Sequence, residues 1–138
     1  MSTLNEYLKN VLADSYILYL KTQNYHWNVT GPNFNSLHIM FQAQYNDLFT
    51  AVDLLAERIR APGTFASYSK MATIAEGNEN SSAQEMVKEL AQDQQKIVKT
   101  LAKALSESQK CNDDVTTGII TDRIEIHQKN AWMLNSSL

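Results

Sequence analysis

One cysteine, Cys111, is all the thiol this chain has. It cannot close an internal disulfide and has no second thiol for a zinc cluster, so it reads as a packed or partly exposed free thiol. Breakers are equally scarce. Two prolines and four glycines in 138 residues leave room for only about four long helices. No apolar run approaches the ~18 residues that would span a membrane. The opening residues, MSTLNEYLKN, have neither the basic start nor the apolar middle of a secretion signal, which makes a cytoplasmic location the default expectation. Without such a signal, the glycosylation-type triplet Asn28-Val29-Thr30 carries no meaning. Positive charge is also short: the net charge is −3, a poor match for a nucleic-acid binder.

What the chain does have is helical periodicity. Leu4, Tyr7, Leu8, Val11, Leu12, Leu18 and Tyr19 form one stripe, opened by a capping box at Thr3-Leu4-Asn5-Glu6 and closed by Gly31-Pro32. Phe34, Leu37, Phe41, Tyr45, Leu48, Val52, Leu55 and Ile59 form a second, which ends near Ala61-Pro62-Gly63. A connection of about eighteen residues (64 to 81) follows, with a short helix expected around Ser69 to Ala75. Ser82-Ala83-Gln84-Glu85 is another capping box, starting a third helix along Met86, Val87, Leu90, Ile97, Val98, Leu101 and Leu105. Cys111-Asn112-Asp113-Asp114 breaks it, and Val115, Ile119, Ile120, Ile124, His127, Ala131 and Leu134 mark a fourth. The expectation is a single all-α domain over residues 1–138, a four-helix bundle with one long crossover.

Residues 26 to 58 gather the chemistry. They hold two of the three histidines, His26 and His38, with Gln42 one turn beyond His38, and a carboxylate pair one turn apart, Asp53 and Glu57. Fifteen residues of helix separate His38 from Asp53, roughly 22 Å, too far for one ion to touch both. If imidazoles and carboxylates share a site, the carboxylates come from a second copy packed antiparallel across a two-fold axis. Such a donor set suits iron, zinc or manganese. The plainer alternative is a solvated acidic face and two packed histidines. The Glu-x-x-His motif of sites built inside one bundle is absent. His127, near an apolar face, reads as structural.

The run H-W-N-V-T-G-P-N-F-N-S-L-H, with D-L-L-A-E-R starting fifteen residues after its second histidine, resembles the Dps family of mini-ferritins, and the likeness covers most of the chain. It implies a ferritin-like fold with a short extra helix in the crossover, assembled as a homododecamer from two-fold dimers. It further implies ferroxidase activity: Fe(II) oxidised at inter-subunit sites, with hydrogen peroxide preferred over oxygen, and Fe(III) stored as mineral. By position His26 and His38 would come from one subunit and Asp53 and Glu57 from its partner, holding two irons, with zinc as a substitute. Trp27 lies beside His26 and Trp132 matches the family's C-terminal tryptophan; such rings are thought in the family to intercept oxidising equivalents, though packing at an interface is the favoured reading of both. Asp114 falls where the family lines its iron-entry pores, but it also suits the N-terminus of a helix, and a second pore-type acid is replaced by Gly118.

One departure stands out. Family members generally carry an acid four residues after the second histidine, where this chain has Gln42, a neutral carbonyl donor. Either affinity is lower, or one iron position is weak, or another residue compensates. The rival expectation is therefore a non-catalytic cage, or a nucleoid-associated protein with a weakened metal site. A lysine-rich tail of the kind that binds DNA in the family is not seen, so DNA binding by that route is not expected.

Overall fold

The computed structural model describes residues 2–68 and 72–138. It is an all-α, four-helix bundle: α1 Ser2–Asn28, α2 Phe34–Arg60, α3 Ala83–Lys110 and α4 Asp114–Asn135. No helix among the described residues is long and apolar enough to cross a membrane. The four stripes converge on one core in which Leu18, Phe41, Leu48, Leu90, Ile97, Leu101, Ile120 and Leu134 are fully buried. Burying one such side chain contributes about 1.5–3 kcal/mol.

Helix ends follow local chemistry. At α3 the capping box is formed: the Ser82 hydroxyl accepts from the Glu85 amide, and the Glu85 carboxylate accepts from the Ser82 amide. The box expected at Thr3 is not a cap, because α1 already begins at Ser2 and Thr3 lies within it. The α3–α4 corner is a Schellman turn. Asn112 takes the left-handed conformation, φ 54°. Its amide donates to the Gln109 carbonyl at 3.1 Å, and the Asp113 amide reaches back to Ser108 at 2.9 Å. Asp113 then caps α4 by accepting from the Thr116 amide. One Asn-Asp pair thus ends one helix and starts the next.

Pairings across the bundle set the topology. Asp14 and Lys21 of α1 meet Thr100 and Asp93 of α3, respectively, so α1 and α3 run antiparallel. The short turn at Gly31, φ +110°, folds α2 antiparallel to α1 as well. Helices α2 and α3 are therefore parallel, and the segment joining them must travel the length of the bundle, roughly 40 Å for a helix of this size. It is pinned on the way by Asp14, which is fully buried and accepts from the Thr73 amide at 2.6 Å and from the Thr73 and Thr100 hydroxyls at 2.7 Å. Further along, Gly77 passes so close to α1 that an added Cβ would lie 3.1 Å from the Tyr25 ring.

The short helix expected around Ser69 to Ala75 is not borne out where it can be judged. Residues 69–71 lie outside the described residues, and 72–76 are bends and irregular chain. Thr73 there gives its amide to Asp14, a side-chain bond in place of a helical one. Two residues of the apolar stripes, Phe34 and Val115, are exposed.

Candidate metal centre

His26 lies in the last turn of α1 and His38 in the second turn of α2, and the antiparallel pairing of the two helices lays their rings face to face. The ring centroids are 3.7 Å apart and the planes within 13°. Each Nδ1 bonds to the other residue's backbone carbonyl: His26 Nδ1 to His38 O, and His38 Nδ1 to His26 O, both at 2.7 Å. A carbonyl can only accept, so both Nδ1 atoms carry the proton and donate. That fixes the tautomer and leaves each Nε2, on the far edge of its ring, with a free lone pair. Neither Nε2 has a hydrogen-bond partner among the described residues. An imidazole whose other nitrogen donates to a carbonyl is the usual form of a metal-ligating histidine.

Phe34 stacks on the outer face of His38 at 4.8 Å, and Tyr45 meets His26 edge-on at 5.1 Å. Gln42 is exposed, one turn beyond His38.

Asp53 and Glu57 lie on the exposed side of α2. The Glu57 carboxyl is held above the usual range, first by a hydrogen bond shared with Asp53, then by the Asp53 charge and partial desolvation. Two carboxylates that crowd each other in this way invite a cation. Asp53 also lines a groove of about 600 Å3 with Tyr16, Tyr19, Phe49, Thr50, Val52 and Ala56.

The chain brings the imidazoles together and the carboxylates together, but it does not bring the two pairs together. Among the described residues no group of three or more His, Cys, Asp or Glu side chains could hold a metal ion. The donor types fit a divalent first-row metal, but each cluster is half a coordination shell.

His127 is a different case. Its Nδ1 pairs with the Gln94 Oε1 at 2.6 Å and its Nε2 with Arg123 at 3.1 Å, while Arg123 forms a two-pronged pair with Asp47 at 2.9 and 2.8 Å. Burial, and then the Arg123 charge, pushes His127 down to about 3. Both ring nitrogens are committed, so this histidine is structural. Asp114 is exposed in the first turn of α4. Its neighbour Asp113 does the capping: burial pushes that carboxyl up, but bonds from Thr116 and the Arg58 guanidinium outweigh it and hold it low.

Comparison with known proteins fixes the lineage. The ferritin-like domain family matches residues 5–138. A Bacillus anthracis protein, DNA protection during starvation protein 2, is 32% identical over 138 residues, covering 96% of this chain and 94% of the relative. The crystal structure of Dps from Staphylococcus aureus superposes with a TM-score of 0.95 at 34% identity, covering 100% of this chain and 96% of that one. The chain belongs to the Dps family. A Vibrio cholerae Dps, described as a member of a broad superfamily of ferritin-like diiron-carboxylate proteins, shares 29% identity at a TM-score of 0.92, covering 98% of this chain and 88% of that one.

Sequence reasoning singled out His26, His38, Asp53 and Glu57 as candidate donors in this Dps chain, and the structure brings the first two together and the last two together. Sequence reasoning missed the two backbone carbonyls that set the histidine tautomers, because periodicity carries no information about which carbonyl a side chain meets. It also read Tyr19 and Tyr45 only as stripe residues. Their i, i+3 and i, i+4 partners Tyr16 and Phe49 were the available signal for a continuous aromatic surface.

Proposed function

We propose that this Dps chain is a ferroxidase that completes its site by pairing, with His26 and His38 of one copy facing Asp53 and Glu57 of another across a two-fold axis. The observation that carries this reading is the histidine clasp, which spends both Nδ1 atoms on backbone and leaves both Nε2 atoms without a partner, and without a third ligand beside them, among the described residues. The carboxylate pair, exposed further along α2, supplies the missing donors and negative charge. Exposed Tyr16, Phe49 and Leu20 on the same side of the molecule give a second copy an apolar surface to cover.

Ferrous iron is the substrate, up to two ions per inter-subunit site, with zinc able to occupy the same donors. Hydrogen peroxide is the preferred oxidant, oxygen the slower one, and the ferric product is stored within a homododecamer. Consuming ferrous iron and peroxide together suppresses hydroxyl-radical formation and so limits oxidative damage. The chain acts as one domain over residues 1–138, in the cytoplasm and without a membrane partner. Asp114, exposed at the α4 N-terminus, is placed by this reading at an iron-entry pore.

A second reading is favoured by Gln42, whose side chain offers no charge where the family carries an acid: a cage whose site has weakened until it holds zinc or nothing, acting as a container or on the nucleoid through its surface. The deciding experiment is Fe(II) oxidation by the purified assembly, followed by absorbance with peroxide and then with oxygen. Fast oxidation with iron kept soluble supports the ferroxidase, and a rate equal to buffer supports the weakened cage. Co-expression of a His38→Ala chain with an Asp53→Ala chain tests the sharing. Mixed pairs regain one intact site, so activity absent from either single variant should return.

A further inference from the structure

The aromatic rings on the α1–α2 face form one unbroken string. From His26 it passes to Tyr45 at 5.1 Å, to Tyr19 at 6.0 Å, to Tyr16 at 6.3 Å and to Tyr68 at 5.9 Å. Each step is within the spacing of rings in direct contact. The string also passes the carboxylate half-site that this chain would lend to its partner, since Tyr16 and Tyr19 line the same groove as Asp53. Exposure increases outward: Tyr45 and Tyr19 are half-buried, Tyr16 is 36% exposed and Tyr68 is 73% exposed. By contrast, neither tryptophan has a ring contact among the described residues, and both are about two-thirds exposed, at 63% and 65%.

We propose that Tyr45 and Tyr19 are redox-active, and that this string gives peroxide its second electron whenever a site holds a single ferrous ion. The inference rests on the ferroxidase reading above and deepens it. Peroxide is a two-electron oxidant, and one Fe(II) supplies only one. A neutral Gln42 where a carboxylate would hold iron weakens one of the two positions, so singly loaded sites are populated. The remaining oxidising equivalent must then find an electron in the protein or escape as hydroxyl radical.

The step balances with Tyr45 as donor. One Fe(II) becomes Fe(III), and the Tyr45 phenol loses an electron and its proton to become a tyrosyl radical. Hydrogen peroxide takes both electrons and that proton, its O–O bond breaks, and water and hydroxide form. A phenol is neutral at pH 7, so its proton is available to leave with the electron. The electron vacancy moves outward as Tyr19, and then Tyr16 and Tyr68, donate in turn, ending at an exposed ring where an external reductant can refill it.

The test uses the assembled protein loaded with one Fe(II) per site from ferrous ammonium sulfate, mixed with hydrogen peroxide and freeze-quenched for electron paramagnetic resonance. The expected result is a transient tyrosyl signal, narrowed by ring-deuterated tyrosine, with one iron oxidised per peroxide in place of two. Tyr45→Phe and Tyr19→Phe keep the rings and their packing but have no phenolic proton to lose. The double variant should show the signal at least fivefold reduced while sites loaded with two irons still react two to one. Tyr7→Phe, outside the string, should match the native protein. Iron oxidised two to one with no radical in the native protein overturns the string and leaves the ferroxidase intact, as does an undiminished signal in the double variant or a signal assigned to tryptophan. Oxidation no faster than buffer overturns the ferroxidase reading and the string with it.

Discussion

The chain holds two histidine environments, and they differ in what becomes of the second ring nitrogen. In the interior, His127 gives Nδ1 to Gln94 and takes Arg123 on Nε2, with Asp47 closing the network. On the α1–α2 face, His26 and His38 spend Nδ1 on each other's carbonyls and keep Nε2. The first arrangement engages both ring nitrogens and ties three helices together. The second is stable yet leaves two lone pairs unspent, which is what a ligand needs and a core does not. Residue type alone does not distinguish them; the partner of the far nitrogen does.

The largest expected effect breaks the open site. In the proposed pairing Asp53→Ala would leave a lone Glu57 opposite the imidazoles, and peroxide-driven Fe(II) oxidation should fall to the background of free iron, with assembly size unchanged by gel filtration. Asp53 is exposed in the chain, so its removal leaves no cavity in the core. Unchanged kinetics would remove the carboxylate assignment. The same operation on the closed network does the reverse. Arg123→Ala leaves His127 Nε2 unpaired and a gap in the interior, and should cost about 2–4 kcal/mol of unfolding free energy. Iron oxidation by the folded fraction should be untouched.

The two sites also part in acid. His127 is held neutral in the fold at about 3, whereas an unfolded histidine titrates near 6.5. Below about 6.5 the unfolded chain therefore binds a proton that the folded chain refuses. Stability is fully present above that pH and is lost as pH falls toward 3, at up to about 1.4 kcal/mol per pH unit. Burial first, and then the Arg123 charge, keeps the ring neutral in the fold. Denaturant unfolding from pH 7 to 4 should show the slope, and His127→Gln, which keeps a polar side chain but cannot titrate, should flatten it. Any metal held at the proposed open site would add a pH dependence of its own, because metal ligands bind in their deprotonated form. A metal-free titration separates the two effects.

How much of this was legible in the sequence depends on how local the information was. The four helices follow from spacing, and the α3 start from Ser82 and Glu85. The Thr3 box did not form, because α1 begins a residue earlier. A pairing of the two half-sites was arguable from helical rise alone, since fifteen residues cannot be folded shorter. The closed network was not legible. Its four members come from three helices, and Gln94, Asp47 and Arg123 each look like ordinary surface residues in their own stretch. Nor was Asp14, whose burial depends on Thr73 and Thr100 arriving from distant segments.

The smallest expected change sharpens the open site. Gln42 is exposed one turn after His38, so Gln42→Asp adds a carboxylate without disturbing the core. If the native site already works with the donors of His26, His38, Asp53 and Glu57, the added charge should raise the oxidation rate by no more than about tenfold, equivalent to roughly 1.4 kcal/mol. It should also shift singly loaded sites toward double loading, which lowers any tyrosyl radical yield as the rate rises. A gain of several hundredfold from a near-zero baseline would point the other way, to a cage that lost its chemistry with that one acid. The histidine clasp would then survive as inherited geometry: two lone pairs correctly set, with too little negative charge beside them to hold the iron.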